Sequence, residues 1–307
     1  MTLGLAYMVV ASLMFAVMGA LVYQSKIWEP TTTPQVASFV RVVVNLFFVV
    51  VLSYLIQDPN GQRLGWRGLF GDRRSSLWLR GFFGSLSVIA VFYAIQTIGL
   101  GETSFLNSSN ALWVALLGPW VLGQKNTALG WLAIFMGMIG LYFLFEPDLS
   151  HPQTEILGRG IALLSGLFGA CAYLMVSKSG RSNHPLCVVF YFTLVSTIVH
   201  VVWFLLEAPV WPIEQDVWIA LAGAGCAATI AQLFMTKAYQ SAPAALVSAV
   251  SFTGPVASLA ISVLWFDDVP SEGQLLGVMI VLVSGVALPF IQSRRTIHTN
   301  DSRQPLS

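Results

Sequence analysis

Along most of the chain polar residues do not alternate with apolar ones; they punctuate long apolar runs. A helix rises 1.5 Å per residue and the hydrocarbon core of a bilayer is about 30 Å thick, so about twenty apolar residues make one crossing. Ten such runs are read, over 3–23, 36–56, 77–98, 103–122, 129–145, 156–176, 186–206, 217–235, 244–266 and 275–291. Their continuous apolarity, without a period of two, excludes a transmembrane β-barrel. The expected fold class is an all-α polytopic membrane protein with ten transmembrane helices. Spans three and four, and spans eight and nine, are separated by only short polar breaks.

Composition agrees. Of 307 residues, 56% are hydrophobic and 9% charged, with a mean hydropathy of +0.75; a soluble chain carries roughly a quarter charged residues. A net charge of +1 excludes a basic nucleic-acid binder and an acidic disordered tail. Cys171, Cys187 and Cys226 lie in apolar runs without C-x-x-C spacing and read as small hydrophobes, not as a disulfide or metal set. The first run has no Lys or Arg ahead of it and is too long for a signal-peptide core, so it reads as an uncleaved span.

Charge placement sets the expected orientation. With the N-terminus in the cytoplasm, the cytoplasmic connectors hold Arg63, Arg67, Arg73, Arg74, Lys125, Lys178, Arg181, Lys237, Arg294, Arg295 and Arg303, with Arg80 just inside span three. The outer connectors hold Lys26 and Arg159, with Arg41 a little inside span two. This positive-inside asymmetry places the chain in the inner (cytoplasmic) membrane with both termini cytoplasmic. The connector 57–76 reads as a basic loop touching lipid headgroups.

A weak repeat runs through the chain. Ala94-Ile95-Gln96-Thr97 matches Ala238-Tyr239-Gln240-Ser241, and the same offset pairs Ser104 with Ser248; Gly140 pairs with Gly285, and Gly4 and Ala6 with Gly160 and Ala162. The expected organisation is a first unit over 1–150 with spans one to five, a second over 151–293 with spans six to ten, and a polar cytoplasmic tail over 294–307. Five is odd, so the two five-helix repeats are inverted relative to each other, a recurring plan of secondary transporters.

The stretch RGFFGSLSVIAVFYAIQTIGLGETSFLNSS, Arg80 to Ser109, resembles the third and fourth spans of EamA-type members of the drug/metabolite transporter superfamily. AYQSAPAALVSAVSFTGPVASL, Ala238 to Leu259, resembles the eighth and ninth. The resemblance implies two EamA-type units over nearly the whole chain and leans towards export of amino acids, nucleoside-like metabolites or drugs. Two departures matter. The proline usual midway in the fourth span is replaced by Ala111, whereas Pro255 fits the ninth; and Gln124 stands where the fourth span usually ends in an acid, whereas Asp267 and Asp268 close the ninth. The halves are expected to bend and gate unequally.

Ionised side chains in hydrocarbon are costly and normally face protein or a water-filled cavity. Arg41 shares a face with Asn45, and Glu102 stands at the outer start of span four. Three roles stay open for Arg41: pairing with Glu102, binding a substrate carboxylate or phosphate, or snorkelling to headgroups. Asn107 and Asn110 share a face of span four with Ser104 and Trp113, suited to hydrogen bonding and stacking with a zwitterionic or heteroaromatic solute, or else to cross-linking helices. The matching face of span nine presents Ser248 and Ser251; span eight adds Thr229 and Gln232. His200, in span seven, is read either as a proton carrier or as a helix-linking residue. The candidate substrate-binding residues are therefore Arg41, Asn45, Asn107, Asn110, Trp113, His200, Gln232 and Ser251. Glycine and alanine clusters at Gly81 and Gly84, Gly166 and Gly169, and 222–225 allow close helix approach.

No G-x-x-x-x-G-K-[ST] loop and no H-E-x-x-H is present, so neither a cofactor nor a metal is expected. The function expected is secondary transport of a small metabolite by alternating access, with a proton or counter-substrate as possible partner, the bilayer as surroundings and no nucleic acid. Oligomeric state is not legible. The rival is a polytopic membrane enzyme with His200 as base, for which no nucleophile or carboxylate can be assigned.

Overall fold

Lipid offers backbone groups no hydrogen-bond partner, so an apolar run satisfies its N–H and C=O groups only by coiling on itself. The computed structural model describes residues 2–56, 63–72, 75–122, 128–145, 152–179, 183–241, 247 and 250–284. Its helices are α1 (Thr2–Trp28), α2 (Pro34–Leu55), the single turn α3 (Gly65–Gly68), α4 (Ser75–Ile98), α5 (Leu100–Asn107), α6 (Asn110–Leu122), α7 (Ala128–Phe145), α8 (Gln153–Ser179), α9 (Pro185–Leu206), α10 (Gln215–Ser241), α11 (Thr253–Phe266) and α12 (Glu272–Ser284). The chain is an all-α polytopic membrane protein. Among the described residues six helices are long and apolar enough to cross a bilayer: α1, α2, α4, α8, α9 and α10. The other four expected runs correspond to the pair α5–α6, to α7, and to the shorter α11 and α12. Ser248, Arg73, Arg74, Lys125, Arg181 and the tail 294–307 lie outside the described residues.

Side-chain contacts fix the sense in which each long helix runs. α1 and α10 are antiparallel: Met8 and Ala11 cluster with Met235 and Ala238, Leu21 packs on Gly223, and Glu29 meets Glu214. α10 and α2 are parallel, with Ala37 beside Val217 and Leu221 at one end and Asn45 against Gln232 further along. α2 and α9 are antiparallel, Ser38 meeting His200 and Val49 packing among Leu186 and Cys187. α9 and α4 are parallel, through Gly81 on Tyr191 and Ser85 on Ser196. α4 and α8 are antiparallel, with Thr97 on Gly158 and Ser87 on Ser165. Hence α1, α4 and α9 run one way, and α2, α8 and α10 the other.

The tight α4–α5 turn rests on Gly99 at φ 85°, a backbone region that side chains disfavour. Span four is interrupted at Ser108–Ser109, between α5 and α6, although Ala111 stands where a proline was looked for. The Ser108 hydroxyl donates to the Ser104 carbonyl at 2.7 Å, a local bond that competes with the helical ladder. Span nine is interrupted at Phe252, which the repeat register places opposite Ser108. Both helices are interrupted, one through serines and one ahead of Pro255.

Part of the connector 57–76 packs on protein. Leu69 is fully buried, the Tyr191 hydroxyl donates to the Phe70 carbonyl at 3.1 Å, and the Asp72 N–H donates to Asn183 Oδ1 at 3.1 Å.

Candidate functional site

Four helices, α2, α4, α9 and α10, turn polar side chains towards one another. Arg41 of α2 is only 1% exposed, and its Nε and Nη1 are buried with no hydrogen-bond partner. Its guanidinium carbon stands 5.5 Å from the Phe192 ring centroid and 5.8 Å from that of Phe92, cation–π distances. Arg80 of α4, also buried with its Nε unpartnered, approaches the same Phe192 ring at 5.0 Å. A Cβ on Gly84 would collide with Arg80 Nη1, so the glycine one turn along makes room for the guanidinium. Among the described residues neither arginine meets a carboxylate.

Around this pair lies a hydrogen-bonded frame. Asn45 Nδ2 donates to Gln232 Oε1 at 3.4 Å, leaving Asn45 Oδ1 buried and unpartnered. His200 is fully buried; its Nδ1 lies 2.7 Å from the Ser196 carbonyl and its Nε2 3.0 Å from Ser38 Oγ. A carbonyl only accepts, so Nδ1 carries the proton and Nε2 accepts from the serine. The Ser196 hydroxyl donates to Ser85 Oγ at 2.8 Å, extending the chain to α4.

Asn107, Asn110 and Trp113 form a second group at the α5–α6 break, facing α8. Ser165 Oγ lies 2.9 Å from Asn107 Oδ1, to which it donates, and 2.6 Å from the Ala162 carbonyl. Gly166 is pressed against Ser109 Oγ and the Asn107 carbonyl, while Gly169 faces Ser87 and Asn110. The Trp113 indole N–H and the Ser109 hydroxyl are buried without partners. Ser251 stands elsewhere, its carbonyl accepting from Ser12 of α1 at 3.4 Å. The structure therefore joins Arg41, Asn45, His200 and Gln232 in one cluster, joins Asn107, Asn110 and Trp113 in another, and leaves Ser251 apart.

The pairing of Arg41 with Glu102 is not made. Glu102 Oε1 accepts from Arg159 Nε at 2.6 Å, an ion pair between α5 and α8 with side-chain exposures of 14% and 4%. Arg159, counted from sequence as an outer-loop cation, is thus an internal residue. Arg80 was likewise counted as a cytoplasmic charge and is the polar residue that the sequence reading missed; the one available signal is the glycine four residues after it.

Two titratable groups flank the helices outside the bundle. Burial pushes the Glu29 carboxyl upwards, but backbone N–H groups of Glu214 and Ile213 and the Thr31 hydroxyl together outweigh it and hold the group below its usual range. His184, the N-cap of α9, accepts from the Leu186 N–H at 3.2 Å; burial, then the nearby Lys237 charge, lower its pKa.

Buried cations and carboxamides facing one another across apolar helices define a polytopic membrane protein with a polar interior, the setting in which transporters bind solutes. A model of the EamA-like transporter family matches residues 2–146 and again 156–288, and the chain belongs to that family of small-molecule transporters. It is 27% identical over 288 residues to the pseudopaline exporter of Pseudomonas aeruginosa, covering 93% of this chain and 95% of that one. It is 28% identical over 291 residues to the riboflavin transporter of Vibrio cholerae, covering 92% and 91% of the two chains. One crystal structure superposes with a TM-score of 0.61 at 14% identity, covering 92% of this chain and 97% of that one, which speaks to the fold alone. Membership of a transporter family removes the enzyme reading, and His200, with both ring nitrogens engaged, has no free position for a base.

Proposed function

We propose that the protein is a secondary transporter that exports a small metabolite across the cytoplasmic membrane by alternating access between two inverted five-helix units, 1–150 and 151–293, with cytoplasmic termini and tail. One observation carries this reading: the joints between the halves exchange. Gly81 of α4 packs on Val195 of α9, and Gly225 of α10 packs on Val44 of α2. Val44 and Val195 sit equally far from Pro34 and Pro185, which open their helices, while Gly81 and Gly225 precede the matching Ala94 and Ala238 by the same interval. The most extensive packing, α1 on α10 and α4 on α8, exchanges in the same way. The helix senses agree, because α1 runs opposite to α8, α2 opposite to α9 and α4 opposite to α10. The family model also matches twice, once in each half. Export is favoured by the likeness to an exporter.

The substrate chamber proposed is the space between the two polar groups, with Arg41, Asn45, His200 and Gln232 on one side and Asn107, Asn110 and Trp113 on the other; Ser251 lines the approach from α1. His200 serves there as a helix link. The test is solute flux in proteoliposomes against a panel of amino acids, nucleosides, carboxylates and neutral drugs, with and without a proton gradient. Saturable, protein-dependent flux of at least one solute, reduced by Asn107→Ala or Asn110→Ala, is expected. No flux of any class above protein-free vesicles overturns the reading. In a background without native cysteines, Ser150→Cys and Ser179→Cys label from opposite faces if the units are inverted; labelling from one face refutes the topology.

A further inference from the structure

Among the described residues, Arg41 and Arg80 form a pair that meets no carboxylate. Each guanidinium is permanently charged, each lies in the protein interior, and the two share the ring of Phe192 at 5.5 and 5.0 Å. A buried cation is normally matched by an acid, because desolvating it alone is expensive and two like charges close together add repulsion. Here the internal acid of the neighbouring helices, Glu102, meets Arg159 instead. Three guanidinium N–H positions, Arg41 Nε and Nη1 and Arg80 Nε, remain buried donors without acceptors, and Asn45 Oδ1, one turn from Arg41, is a buried acceptor without a donor. Unmade bonds of this kind cost free energy in the empty protein. Phe192 offers cation–π contact to both guanidiniums but supplies no negative charge.

We infer that Arg41 and Arg80 form a two-point cradle astride Phe192 for a small dicarboxylate, each guanidinium taking one carboxylate, with Asn45 Oδ1 accepting from an amino group where the solute has one. This rests on the transporter reading and narrows it to a dianionic substrate class. Bidentate guanidinium–carboxylate pairing satisfies the stranded donors and neutralises both charges at once. The same geometry predicts an unusual stability signature. A residue kept for the folded structure loses stability when replaced, whereas an unneutralised internal charge kept for a ligand does not.

The experiment measures melting temperature of purified protein in zwitterionic phosphatidylcholine nanodiscs, titrated with succinate, L-glutamate and inorganic phosphate against KCl at matched ionic strength. Wild type is expected to show a saturable rise with succinate or glutamate beyond that given by KCl. Arg41→Gln and Arg80→Gln are expected to melt, without ligand, at or above the wild-type temperature and to shift the half-saturating concentration at least tenfold. If either Gln variant fails to fold, Arg41→Lys and Arg80→Lys keep the charge but lose bidentate geometry, and a weakened dicarboxylate response supports the cradle. The proposal is overturned by no saturable rise in wild type, by a rise with phosphate alone, or by an unchanged response in the folded arginine variants. Flux of neutral or cationic solutes in the proteoliposome panel, with no dicarboxylate response, sinks this inference and leaves the transporter standing; no flux of any solute sinks the transporter.

Discussion

The Glu102–Arg159 pair is the contact whose removal can be worked through most fully. Two unit charges about 4 Å apart attract by about 4 kcal/mol at an effective dielectric of about 20, and desolvation of both groups opposes much of this. What matters experimentally is the orphan. With Arg159 4% and Glu102 14% exposed, removing one partner takes this charge-assisted bond from a largely buried group, and for buried pairs such a loss costs about 3–5 kcal/mol. The partial exposure of Glu102 puts the expected loss near the lower end, about 3 kcal/mol, for Arg159→Met or Glu102→Gln alone. The double variant removes both charges and is expected to lose clearly less than the two singles together, with a coupling of about 2 kcal/mol. Reversible unfolding in mixed detergent, read by tryptophan fluorescence, closes the cycle, and raising salt to about 1 M should leave the coupling largely intact because little ionic atmosphere reaches the pair. Losses that add to within about 0.5 kcal/mol would falsify the claim that these side chains act as a unit.

Gly81→Ala would place a Cβ 2.8 Å from the Tyr191 carbonyl oxygen, and Gly225→Ala would place one 2.6 Å from Val44 Cβ. Each is expected to destabilise by about 1–3 kcal/mol through overpacking; Gly160→Ala, with nothing within 4 Å, serves as a tolerated control in the same melting assay, and equal behaviour of all three would refute the close-approach argument. His184 has a depressed pKa, so its contribution to stability is complete above the ordinary value near 6.5 and is lost as pH falls through the lower folded-state value. Protonation also removes the acceptor that caps α9. The melting temperature should therefore drop on acidification from about pH 7 to 5, and His184→Asn, which caps without titrating, should flatten that slope; an unchanged slope would count against the cap as its origin.

The six long helices were legible because membrane crossing imposes a length and a composition that no other constraint overrides. The break in span four was not, since the sequence reading looked for proline and the interruption uses the hydroxyl of Ser108, a residue equally at home in an unbroken helix. Arg41 was visible as a charge in an apolar run, but its surroundings were not, because Glu102 was near in depth while Arg159, distant in sequence, arrives only when α8 packs on α5. Arg80 was hidden for a different reason. Near a span end, an arginine that snorkels and one that turns inward look alike in sequence, and only the space above Gly84 separates them.

The matched joints at Gly81 and Gly225 bear on energetics as well as architecture. On the alternating-access reading proposed above, seams built alike mean that opening either gate disrupts comparable contacts, so the inward-facing and outward-facing forms would lie close in free energy and a modest ligand preference would suffice to tip the population. On that reading a substitution at one seam alone removes the parity: about 1.4 kcal/mol is a tenfold bias, enough to leave such a carrier resting with one mouth shut while the residues proposed to bind solute stay unaltered.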